Sequence, residues 1–168
     1  MSVYWAIIYW LHTLAVTTWI GGLFFYILVL VPSMKELEPP QAGKLVGAIT
    51  KRYVPITWSA LAVLIVSGIL IAKSRGVLGI NLGTTYGAML FIKHLLTLAM
   101  VANGVIISTV IGPKLKPKAP PAGDQPAGPP SGPLPHVVKL QKLMGVLGKL
   151  QVVCAVLVLF FTAALTAT

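Results

Sequence analysis

Four long apolar runs, separated by short polar or basic stretches, set the pattern of the chain. The first extends from about Tyr4 to Val31 without a charged residue, and the second from about Val54 to Ala72. The third extends from about Tyr86 to Ile111 with one charge, Lys93, and the fourth from about residue 143 to residue 166. A helix needs about 20 mostly apolar residues to cross the hydrocarbon core of a bilayer, and each run is long enough. Period-2 alternation is missing, so strands are not expected. The pattern predicts an all-α integral membrane protein: a single transmembrane domain over residues 1–168, built as a four-helix up-down bundle in a lipid bilayer.

Composition agrees with the pattern. Hydrophobic residues make up 57% of the 168 residues and charged residues 10%, against about 25% charged in a soluble domain. A soluble enzyme, a disordered chain and a fibrous protein are excluded. The single cysteine, Cys154, rules out a disulfide framework within the chain and a cysteine-based metal cluster. The opening Met-Ser-Val-Tyr-Trp has no basic side chain, and the first run is longer than a signal-peptide core, so it reads as a true span.

The net charge of +10 would suggest nucleic acid in a soluble protein. Here position explains it. The first loop holds Lys35, Lys44, Lys51 and Arg52, and the third, with its flank, holds Lys114, Lys116, Lys118, Lys139, Lys142 and Lys149. The second holds only Lys73 and Arg75. The positive-inside rule places loops 1 and 3 in the cytoplasm of a prokaryotic inner membrane and both termini on the outer side. No nucleic-acid partner is needed. Residues 113–135 carry nine prolines and read as an extended cytoplasmic linker. Residues 136–149 read as an amphipathic helical entry whose lysines rest on anionic headgroups.

Polar residues inside spans are costly and are the first candidates for function. They are His12, Lys93, His94 and Asn103. His12 and His94 each lie about eight residues from the outer end of their runs, roughly 12 Å deep at 1.5 Å per residue. The first and third helices would run parallel and sit diagonally, with axes roughly 12–14 Å apart given 8–10 Å between neighbours. That spacing is wide for a shared bare ion and suits a flat macrocycle, so bis-histidine haem b is the expected cofactor, with His12 and His94 on the iron. Lys93 is an alternative ligand or a partner for a haem propionate. Trp5, His12, Trp19 and Tyr26, spaced by seven, form one stripe, with Trp19 on the cofactor face. Gly68 would leave room for a macrocycle edge. Copper(I) would call for clustered Met or Cys, whereas Met89, Met100 and Cys154 are scattered along the sequence.

The segment Leu11-His12-Thr13-Leu14-Ala15-Val16-Thr17-Thr18-Trp19-Ile20-Gly21-Gly22, continuing to Val31-Pro32, resembles the opening of the CopD copper-resistance family. Arg52-Tyr53, Ser67-Gly68 and Ile92-Lys93-His94-Leu95-Leu96 are similar too. The resemblance covers most of the spans, but neither the proline-rich loop nor the last helix. It extends to HemJ-type haem-b proteins, which oxidise protoporphyrinogen; by that resemblance the functional histidine and lysine fall on His12 and Lys93. That group carries an arginine after the aromatic segment of its first helix, where Tyr26-Ile27-Leu28-Val29 has none.

The leading expectation is a membrane b-type cytochrome that moves electrons from a quinol or to a redox protein partner. The alternatives are a protoporphyrinogen oxidase, a copper transport or tolerance protein, and an apolar structural subunit. An electron carrier of the oxidoreductase type is favoured over a hydrolase or transferase, because no acidic pair, nucleophile–base pair or phosphate loop occurs. The apolar faces of the last helix permit a homodimer.

Overall fold

The computed structural model describes residues 2–79, 81–115 and 135–167. Among the described residues there is no strand. Four helices are long and apolar enough to cross a membrane: α1, Val3–Glu36; α2, Pro39–Ser74; α3, Thr85–Lys114; and α4, Pro135–Ala167, of which Val138–Ala167 forms the span. The all-α, four-span expectation is met. Most of the proline-rich loop, and with it the role expected of that loop, lies outside the described residues.

The helix α2 is longer than the apolar run it carries and starts at Pro39. Lys44, Lys51 and Arg52 keep the first turns out of hydrocarbon, but they do not oppose helix formation. Glu38 caps the start in extended conformation, and the prolines at the first two helical positions lose no hydrogen bond there. At the other end Gly76 turns left-handed, with φ +67°. The Gly76 N–H donates to Lys73 and the Val77 N–H to Ala72, the paired bonds of a Schellman stop that glycine adopts without steric cost.

The chain forms two compact units, Met1–Phe91 and Ile92–Thr168. In the first, α1 and α2 pack as a hairpin. Ile8, Ala15, Trp19 and Ile20 are buried on α1, and Ala60, Leu61 and Ser67 on α2. Val3, Ile7, Trp10 and Leu14 are exposed on α1. The two sets follow helical spacing on different faces. In water so much exposed apolar surface would be untenable; in hydrocarbon it is the solvent-matched face.

Both α1 and α3 widen into a π turn near their ends, at Phe25–Leu30 and Ile106–Ile111. In each, an i→i−5 bond closes the turn, Val31 to Tyr26 in one and Gly112 to Ile107 in the other. A proline follows at once, Pro32 or Pro113. Proline has no N–H and its ring crowds the carbonyl four residues back. Widening the preceding turn is one way a helix accommodates it.

In the second unit a polar clamp joins α3 to α4. Asn103 Nδ2 donates to Gln151 Oε1 at 2.7 Å and to the Leu147 carbonyl at 3.0 Å. Gln151 Nε2 donates to the Met100 carbonyl at 3.1 Å. Both side chains are buried, and Asn103 Oδ1 accepts no hydrogen bond among the described groups. Interhelical bonds in membranes are worth about 0.5–2 kcal/mol. Gln151→Leu should lower stability by about that much, because it removes one acceptor of the Asn103 amide, which keeps the Leu147 carbonyl, and the side-chain donor to the Met100 carbonyl. The double variant Asn103→Leu/Gln151→Leu should lose less than the sum of the two single variants. Melting temperatures of the purified protein in detergent micelles check both expectations.

Candidate functional site

His12 lies on the inward side of α1, in helical register with Ile8, Ala15 and Trp19, and is half-buried. Across the hairpin its Nδ1 lies 2.9 Å from Ser67 Oγ. Ser67 is itself buried and donates to the Val63 carbonyl at 2.6 Å, with the Leu64 carbonyl farther off at 3.2 Å. Gly68, next along α2, lets the imidazole approach the backbone: a Cβ there would sit 3.3 Å from His12 Cε1 and 3.9 Å from Nδ1. The space that the sequence suggested Gly68 would leave for a macrocycle edge is therefore next to the histidine ring itself. Trp19, two turns farther along α1, is buried in the same hairpin.

Below the imidazole, Leu11, Leu14, Ala15, Pro55, Ala60 and Val63 help to line an open apolar groove of about 400 Å³. Beyond the site, at the end of α2, Arg75 Nε donates to the Tyr9 hydroxyl at 3.0 Å, and the guanidinium lies 5.5 Å from that ring's centroid. The bond to Tyr9, then a second to Tyr86, push the Arg75 pKa up, so it stays cationic. These contacts tie the ends of α1 and α2 and the start of α3 within the first unit.

Lys93 and His94 belong to the second unit. Lys93 is half-buried and His94 exposed. Counted from the helix start, His12 and His94 are each the tenth residue of their helices. Counted from the π turn and its proline, the correspondence changes. Pro32 and Pro113 are 81 residues apart, and the same offset pairs Trp19 with Met100, Gly22 with Asn103 and His12 with Lys93. Trp19 and Met100 are both buried, so the face of the helix follows this second register, and Lys93 takes the place that His12 holds. On α4, Thr162 donates to Val158 at 2.7 Å, as Ser67 does to Val63. Among the described residues no group of three or more His, Cys, Asp or Glu could hold a metal ion.

Residues 47–165 match the family model described as copper resistance protein D. The chain belongs to that family. No curated protein and no solved structure matches it. The segment matched in this CopD-family protein contains Ser67, Gly68, Lys93 and His94, whereas His12 precedes it. It also takes in most of the last helix, which the sequence resemblance did not cover. With its four apolar spans, the CopD-family chain is an integral membrane protein.

Sequence reasoning singled out His12 but not the hydroxyl that orients it. The signal was a serine inside a span directly before a glycine. Gly68→Ala should push the imidazole by a few tenths of an ångström and weaken its bond to Ser67. Gly21→Ala, where nothing lies within 4 Å of the new methyl, should be neutral or stabilise by up to about 1 kcal/mol through helix propensity. Melting temperatures of the two variants, with the His12 imidazole NMR signals, separate the cases.

Proposed function

We propose that this protein handles copper as cargo within the membrane, with His12 as a ligand on the way. The reading is carried by one observation: a half-buried imidazole held in a fixed orientation inside a span of a chain that belongs to the copper resistance protein D family. Imidazole is a good copper ligand. His12 is the only histidine of the first unit, and one imidazole holds a metal weakly, as suits an ion that must leave again. Softer donors occur in the second unit. Met100 and Cys154 are both buried, each three residues from a member of the Asn103–Gln151 clamp and thus on the same side of its helix. Thioether and thiolate favour copper(I). The ten basic residues of loops 1 and 3 support a cytoplasmic position for those loops, which puts His12 toward the outer leaflet.

A second reading makes the same imidazole an axial ligand of haem b, in quinol-linked electron transfer or porphyrinogen oxidation. The oriented ring favours it. Against it, the room at Gly68 is taken up by the histidine ring. Copper is therefore the preferred cargo and haem the alternative.

His12→Gln should abolish most copper(I) binding by the purified protein, and should shift the copper content of expressing cells to that of cells lacking the protein. Elemental analysis at matched expression measures both. Unchanged binding and content would overturn the copper reading. A purified protein with the absorption bands of haem b would favour the second reading, and a colourless one from haem-replete cells would remove it.

A further inference from the structure

The hydrogen bond between His12 and Ser67 can be given a direction. The Ser67 hydroxyl carries one proton. Three acceptors or potential acceptors surround it: the Val63 carbonyl at 2.6 Å, the Leu64 carbonyl at 3.2 Å and His12 Nδ1 at 2.9 Å. A carbonyl oxygen can only accept, and 2.6 Å between two oxygens requires a proton between them. That proton is the serine's. The same back-bond to the carbonyl four residues earlier recurs at Thr13, Thr17, Thr57, Thr97, Thr109 and Thr162, at 2.7–2.9 Å; a hydroxyl on a helix in hydrocarbon has no water to turn to. Only lone pairs of Ser67 Oγ then remain toward His12. The contact is an N–H···O bond with Nδ1 as the donor.

We propose that Ser67 is a positioning residue that holds His12 as the Nδ1-protonated tautomer, so that Nε2 is the nitrogen with the lone pair and the atom that binds metal. Which imidazole nitrogen binds a metal is set by the hydrogen bond of the other. Gly68 completes the device. With no Cβ it admits the ring edge, which lies 3.3 Å from where a Cβ would stand, in the rotamer that meets Ser67. The metal-binding clause rests on the copper reading of His12; the tautomer does not.

The test uses the full-length protein, labelled with ¹⁵N-histidine, in lipid nanodiscs without metal. The His12 signals are assigned by their loss in His12→Gln. The expected wild-type spectrum shows a protonated Nδ1 and an unprotonated Nε2. Ser67→Ala should give a mixture of tautomers, and Ser67→Thr, which keeps the hydroxyl, should restore the wild-type pattern. Helical circular dichroism confirms that each variant is folded. A wild-type spectrum with the proton on Nε2, or a Ser67→Ala spectrum identical to wild type, would overturn the proposal. Copper(I) titration is the second readout. Loss of an orienting partner typically weakens metal binding by about 10- to 100-fold, and Ser67→Ala should fall in that range. If the tautomer is as expected but wild-type protein binds no copper(I), the copper reading fails and the positioning role stands. If copper(I) binds at His12 with equal affinity in wild type and Ser67→Ala, the metal-binding role of Ser67 fails.

Discussion

Hydrocarbon offers no hydrogen-bond partner, so each polar group inside a span must find one within the protein. That constraint shapes nearly every feature of this chain. The backbone meets it by remaining helical through each span. Threonine and serine hydroxyls meet it by bonding to the carbonyl one turn earlier. The few larger polar groups need a second helix. His12 uses Ser67 across the first hairpin, and Asn103 uses Gln151 across the second unit's pair of helices. Apolar contacts alone discriminate poorly between helix and lipid, because both are oily. These polar contacts are what specify the register of each pair.

The two units answer the constraint in corresponding ways. Each contains a span with a π turn before a proline, followed by a helix whose hydroxyl, Ser67 or Thr162, bonds back by one turn. Their polar occupants differ. His12 in the first pattern becomes Lys93 in the second, and Gly22 becomes Asn103. The repeated framework thus carries two chemically distinct groups at one position, and the histidine-bearing copy has the orienting serine and the glycine that admits the ring.

The orienting contact is also local enough to be tuned without disturbing the fold. Ser67 and Gly68 are small, and the three changes considered at these positions alter the surroundings of one ring. Farther out, Arg75 with Tyr9 and Tyr86 holds the helix ends through exposed contacts, which add little to stability at a surface but align the hairpin.

Much of the architecture was legible in the sequence. Four apolar runs longer than the hydrocarbon core, free of alternation, dictate four helices whatever their neighbours, because the lipid requirement acts on each segment by itself. The rarity of polar groups in the runs singled out His12, Lys93 and His94 for the same reason. Charge marks where the second apolar run ends, and the helix continues past that point to Pro39. Contacts between distant residues were not legible. That Ser67 would reach His12 across 55 positions and that Gly68 would face the imidazole ring depend on packing. Periodicity along one helix determines which residues share a face. Only the tertiary structure decides what each face meets, because that depends on how two helices are rotated and shifted against each other.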